Sequence, residues 1–366
     1  MSGVDLAGFA RTFAGLTSMS DRPGKTVKGS PVAATGWDVA RQAGVSQTTV
    51  SRAFRTDPRV KSATRDRILA TAREIGYLPN VGARSLITRR TGVIGVVVAD
   101  LTNPLYPEMI STMHEVLVSA GYRMMLIRDD KDAAGGPDLD PLRGRAVDGV
   151  IFASATSASP VVAEFLAAGM PVVLLNRDVE NVQVDRLLPD DESACSAAVD
   201  HLVALGHREI ASLTGPSETV SGEVRSRYIT EGLARHGITV PTEWLRSGNY
   251  SHDDGKHLTL EILSCPKRPT AIICANDTMA FGALDAAGHL GVRVPEDLSV
   301  TGIDDVAMSA WSMISLTTVA LPKQDMARQA VETILARIDG ASGPAQRILY
   351  PVELVLRSST ASPRPG

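Results

Sequence analysis

Two sets of residues in this chain have the types and spacing to do chemistry. The first lies at the ends of apolar runs. Asp100 follows "VIGVVVA", Asn176 and Asp178 follow "PVVLL", Asn276 and Asp277 follow "AIIC", and Asp304 and Asp305 follow "LSVTGI". Carboxylates and amides at such places exchange hydrogen bonds with a polar ligand. Asn and Asp are also ordinary turn residues. Each alone reads as a turn, whereas the set reads as the polar lining of one crevice. The second set is "SQTTVSR", Ser46 to Arg52. Arg52 can bond guanine O6 and N7, Gln47 can pair with adenine, and Thr48 can do either or touch a thymine methyl. Ser46, Thr49 and Ser51 suit phosphate contacts, which position a protein on DNA without reading sequence. A merely solvated helix face would carry the same residue types, so the surrounding elements must decide.

Those elements are short helices. Thr35-Gly-Trp-Asp38 resembles a capping box with Asp in the fourth place. Val39, Ala40 and Ala43 then share one helical face, Gly44 permits a sharp turn, and Ser46 is a good N-cap for a second helix. On that helix Val50, Ala53 and Phe54 lie together, with Gln47, Thr48, Ser51 and Arg52 on the other side. A third helix starts near Ser62; Ile68, Ala72 and Ile75 line one face and Gly76 ends it. Three helices round one small core make a helix-turn-helix unit. Trp37 is expected to supply packing that Gly36 cannot.

The charge agrees. Between Ala33 and Thr91 there are eleven Lys or Arg against four Asp or Glu, although the whole chain of 366 residues is at −4. A basic head on an acidic body suggests a polyanion partner for the head.

After Pro79, "NVGARSLITRRTG" reads as a basic linker. Beyond it the pattern alternates between continuous apolar strands ("VIGVVVAD", "YRMMLIRD", "VDGVIFAS", "MPVVLLNR", "EIASLTG", "TAIICAND", "LSVTGIDD") and helices. Such strands belong to parallel sheets buried on both faces. At least six units imply two α/β lobes with parallel, Rossmann-like sheets, and ligands bind between such lobes at the carboxyl ends of the strands. The expected organisation is a disordered tail over 1–32, an all-α helix-turn-helix domain over 33–79, a hinge over 80–91 and a bilobed domain over 92–366. Lobe 1 is expected at about 92–187 and 322–349, and lobe 2 at about 188–321 and 350–366.

Several classes are disfavoured. No GxSxG, P-loop, paired-His motif or GxGxxG after a strand appears. No catalytic residues, no metal site and no cofactor are therefore expected. Three cysteines, Cys195, Cys265 and Cys274, form no CxxC and read as buried thiols. No apolar run of membrane length and no signal peptide is evident, so a cytoplasmic protein is expected. Met19 offers a second possible start.

Taken in order, "DVARQAGVSQTTVSR", "NVGARSL", "VIGVVVADLTNPLY", "VDGVIF", "PVVLLNRD", "HLVALGHREIASLTG", "PTAIICANDTMAFGAL", "VPEDLSVTGIDD", "LTTVALPKQDM" and "PVELVLRSST" resemble the LacI/GalR family of ligand-responsive transcription regulators. The resemblance runs from about Thr35 to Arg357. It implies a body like the periplasmic sugar-binding proteins, and it makes Gln47 and Thr48 the main specificity positions, supported by Arg52. It also implies that the hinge folds on DNA, with Leu86 as a minor-groove wedge and Ala83 small enough for two hinges to meet. In the cleft it makes Arg225 the ligand-binding arginine, ahead of Arg227, and Asn276 and Asp304 its polar companions. Tyr250 and Tyr106 stand as stacking aromatics. Trp311 is either a third wall or an ordinary core residue.

The implied protein is a homodimeric repressor on pseudo-palindromic operator DNA, controlled by a carbohydrate effector that changes the angle between the first lobes. A nucleobase- or nucleoside-responsive, co-repressed regulator is the alternative. A sugar-binding transport receptor is the alternative of a different class, which the basic head disfavours.

Overall fold

The computed structural model describes residues 34–54, 57–78, 90–129, 139, 142, 146–154 and 160–364. It divides into two compact units, residues 1–81 and 82–366.

In the first unit three helices, α1 (Gly36–Ala43), α2 (Gln47–Phe54) and α3 (Ser62–Glu74), enclose a small core. Val39, Ala40, Ala43, Val50, Ala53 and Ile68 are buried there. The start of α1 is fixed by a complete capping box between Thr35 and Asp38. Gly44 ends it at φ +64°, a left-handed conformation that glycine adopts at no steric cost. The Ser46 hydroxyl accepts from Thr49 N at 3.1 Å and so caps α2. Trp37 does not pack as expected, being 72% exposed. Tyr77 supplies the packing instead, since its hydroxyl sits over Gly36, where a Cβ would approach it to 3.2 Å. The Tyr77 ring also meets Phe54 edge-on, with centroids 5.7 Å apart.

The second unit is built on two six-stranded sheets. The first contains β1 (Val93–Val98), β2 (Arg123–Arg128), β3 (Gly149–Phe152), β4 (Val172–Leu175), β5 (Asp185–Pro189) and β11 (Arg347–Tyr350), in the order β11-β5-β4-β3-β1-β2. The second contains β6 (Ile210–Thr214), β7 (Leu245–Ser247), β8 (Ala271–Cys274), β9 (Ser299–Asp304), β10 (Thr317–Ala320) and β12 (Glu353–Val355), in the order β12-β10-β9-β8-β6-β7. Among the described residues every pairing is parallel except β10 with β12. β3, β4, β8 and β9 are buried along their whole length, as their continuous apolar sequences require.

The helices that matter for the crevice are α4 (Leu105–Ser119), α6 (Asp191–Ala204), α7 (Val220–Arg235), α9 (Asp277–His289) and α10 (Lys323–Ile338), with α5 (Pro160–Ala167) and α8 (His252–Leu263) between them in the chain. Each of the crevice helices follows a strand: β1, β5, β6, β8 and β10 in turn. Met326, Ala330 and Ile334 of α10 pack into the core of the first sheet with Ile94 and Met109, so the chain returns to lobe 1 after building lobe 2. In both sheets the order reverses beside the first strand, β1 or β6, which is where a doubly wound sheet opens a crevice. Cys195 and Cys274 are buried thiols; Cys265 is only half-buried.

Candidate functional site

In the head, Gln47 and Thr48 are exposed on the first turn of α2, and Arg52 is half-buried one turn on. Thr49 turns back to Ser46, their hydroxyls 2.8 Å apart, and Ser51 is half-buried. The face thus offers an amide, a hydroxyl and a guanidinium along one helix, the groups that read base edges in a major groove. Ala83 and Leu86 lie outside the described residues.

In the body, a narrow cavity between the two sheets is lined by Asn103, Tyr106, Asn176, Arg177, Ser221, Arg225, Tyr250, Asn276 and Asp304, together with Leu105. Asn176 extends from the end of β4, Asn276 from the end of β8, and Asp304 closes β9. Arg225 is on α7, four residues after Ser221, so both face the same way. It is 4% exposed. Its Nε donates to Asp191 Oδ1 at 2.7 Å and its Nη1 to the Ala275 carbonyl at 2.6 Å. Asp304 Oδ1 stands 3.8 Å from Arg225 Nη1.

Burial pushes the Asp304 carboxyl up to about 7, and Asp277 adds to this, against the pull of Arg225, Lys323 and Arg177. Behind it, Lys323 Nζ donates to the Asp304 carbonyl at 3.0 Å and pairs with Glu108 at the same distance. Asp277 is wholly buried and holds the loop after β9, accepting from Val306 N at 3.0 Å, Ser309 Oγ at 2.6 Å and Thr318 Oγ1.

Tyr250 lies with its ring against Gly215, where a Cβ would fall 2.1 Å from the ring. Its hydroxyl is 3.1 Å from Ser221 Oγ, and its carbonyl accepts from Asn276 Nδ2 at 3.2 Å. Asn276 Oδ1 meanwhile caps α9 through Met279 N at 2.9 Å. Six non-glycine residues have positive φ among the described residues, and three of them, Asn176, Tyr250 and Asp304, line this cavity. Such strain collects where a fold holds side chains for a purpose.

Six of the residues singled out from sequence therefore converge: Tyr106, Asn176, Arg225, Tyr250, Asn276 and Asp304. Two do not. Asp100 organises its own loop, accepting from Thr102 N at 2.8 Å and Thr102 Oγ1 at 2.6 Å. Trp311 stands outside the cavity and is 57% exposed. Asp178 is held by Arg186 at 2.5 Å and lines, with Arg227 and Arg347, an adjoining cavity of about 310 Å³ that shares Asn176 and Ser221 with the first. Sequence reasoning missed Asn103, Arg177 and Ser221. Ser221 was within reach, since it lies one helical turn before Arg225.

The head matches the model for bacterial regulatory proteins of the lacI family over residues 37–80, and the body matches a periplasmic-binding-protein-like domain over residues 199–360. The transcriptional regulator MalR of Streptomyces coelicolor is 34% identical over 335 residues, spanning 89% of this chain and 96% of its own. The chain belongs to the LacI family. The repressor CytR of Escherichia coli is 31% identical, with 91% of this chain and 98% of its own covered. Among solved structures, a lac repressor dimer bound to operator and the anti-inducer ONPF superposes with a TM-score of 0.80 at 29% identity, covering 90% of this chain and 99% of that one. A complex of the regulator CelR with cellobiose gives 0.67 at 28% identity, covering 89% and 99%.

This LacI-family chain is a DNA-binding transcriptional regulator of the effector-responsive, repressor kind, with a helix-turn-helix head and two parallel-sheet lobes. The relatives are regulators rather than enzymes. Among the described residues no helix is long and apolar enough to cross a membrane.

Proposed function

We propose that this LacI-family chain is a homodimeric repressor of a pseudo-palindromic operator, released or locked by a sugar or sugar derivative bound between its lobes. The observation that carries the ligand class is the convergence on one cavity of two arginines, an aspartate, three asparagines and two tyrosines. Carboxylate and guanidinium groups suit adjacent hydroxyls, and flat aromatic faces suit the C–H side of a sugar ring. The likeness to a regulator solved with cellobiose supports the same class.

Gln47 and Thr48 would read bases, Arg52 would assist them, and Leu86 would wedge the minor groove, as the resemblance implies. The effector works only through different affinities for the operator-competent and incompetent states. The test is operator binding by fluorescence anisotropy at fixed salt across a sugar panel, with wild-type protein and an Arg225→Gln/Asp191→Asn pair. The double change avoids leaving a buried charge unpaired, which costs about 3–5 kcal/mol. The expected result is a sugar that shifts operator affinity in the wild type and not in the double variant. An unaltered response in that variant would move the anchor elsewhere.

A further inference from the structure

The cavity holds two guanidinium groups, and they are matched differently. Arg225 is neutralised by Asp191 at 2.7 Å. Arg177, half-buried at the end of β4, hydrogen-bonds Ser221 Oγ and lies over the Tyr250 ring, with Cζ 4.7 Å from its centroid. Neither of these partners carries a negative charge. The nearby acids are engaged elsewhere: Asp178 with Arg186 at 2.5 Å, Asp191 and Asp304 with Arg225, and Glu108 with Lys323 at 3.0 Å. Among the described residues no carboxylate lies within ion-pair distance of Arg177. Arg177 is thus a cavity cation with no acid in contact, and it shares with Arg225 the field of the single Asp304 carboxyl.

The neighbouring residue points the same way. Asn176 is only 7% exposed, and its Oδ1 is buried without a hydrogen-bond partner. A buried acceptor left unmade costs roughly 1–3 kcal/mol. It asks for a donor such as a hydroxyl. A cationic fork with no acid in contact and an acceptor with no donor therefore stand on consecutive residues and line one cavity.

Resting on the carbohydrate reading above, we infer that the effector is an acidic sugar, whose carboxylate or phosphate is held by the Arg177 guanidinium while one of its hydroxyls donates to Asn176 Oδ1. The planar fork matches either anion with two parallel hydrogen bonds. To receive it, Arg177 would exchange Ser221 for the ligand and keep its stacking on Tyr250.

The test is calorimetry on the full chain with matched probes: glucose, galactose and cellobiose against glucuronate, galacturonate, cellobionate and glucose 6-phosphate, with uridine against its 5′-monophosphate alongside. The acidic member of one sugar set should bind at least tenfold more tightly than its neutral partner. Whether the sugar acid or the phosphate does so identifies the source of the anion. Arg177→Gln should lower that affinity tenfold or more and lower that for the neutral partner by a clearly smaller factor. Arg177→Lys, which keeps charge without the fork, should fall between them. Thermal melting checks that both variants fold.

A neutral sugar binding as tightly as its acid, or an acid whose affinity ignores Arg177→Gln, would overturn the inference and leave the carbohydrate reading standing. Binding of the nucleoside pair alone, or of no probe, would overturn the carbohydrate reading and the inference with it.

Discussion

Asp304 shows what burial does to one side chain. Its carboxyl is pushed up to about 7 in the folded chain, against about 3.9 for a free aspartate. The folded state therefore binds this proton more tightly than the unfolded state does. The cost of ionising it is absent below about pH 4, grows as pH rises toward 7, and is fully present above. Asp304→Asn should accordingly raise the melting temperature of the ligand-free protein clearly more at pH 8 than at pH 5, and change it little at pH 4. The gain should be on the order of 2–4 °C for each kcal/mol relieved. An equal shift at all these pH values in differential scanning calorimetry would show that Asp304 is ionised throughout. Gly215 makes a second point at this scale. A methyl group there would meet the Tyr250 ring at 2.1 Å, so Gly215→Ala should drive the tyrosine from the cavity. We expect effector affinity to fall at least tenfold by titration calorimetry, with operator affinity of the free protein unchanged.

At the scale of the element, α2 is aimed by its two ends. The Ser46 cap fixes where the helix begins, and Val50 and Ala53 press one face into the core. Gln47 and Thr48 must then face outward. Loss of a base contact of this kind costs about 1–3 kcal/mol, so Gln47→Ala should weaken operator binding roughly five- to 150-fold and relax the preference at one base pair. Its affinity for unrelated DNA should hold. An even loss over all sequences would make Gln47 a backbone contact. In the body, α7 acts similarly. Thr219 caps it by accepting from Gly222 N at 3.1 Å, and the next turns deliver Ser221 and Arg225 to the cavity.

For the whole molecule, the second unit carries a surface that a monomer does not explain. Met313 is 98% exposed and Trp311 57%, beside an apolar groove of about 430 Å³ lined by Phe281, Leu284, Met308 and Met313. Contiguous exposed apolar patches, unlike single exposed side chains, mark interaction surfaces. This face fits the homodimer proposed above. Met313→Glu should shift the protein toward monomer in sedimentation equilibrium. It should also weaken operator binding, because each monomer would hold only one half-site. A dimer as stable as the wild type would place the interface elsewhere.

The sequence by itself determined the plan. The capping box at Thr35, the turn at Gly44 and the apolar face of α2 are local, so they could be read residue by residue. The buried strands were legible because parallel sheets covered on both sides need continuous apolar runs. What could not be read was β5, β7, β10, β11 and β12, whose short or mixed sequences are strands only because a neighbouring strand pairs with them. The strand-end asparagines and aspartates were visible, and periodicity placed them at one rim. Which of them share a cavity was decided by tertiary structure. Asn176, Asn276 and Asp304 converge because two sheets set their carboxyl edges opposite one another, while Asp100 folds back on Thr102. The unmatched charge of Arg177 was beyond any reading of the sequence. An arginine's partners come from distant segments, and only the packed chain shows that each nearby acid is engaged elsewhere.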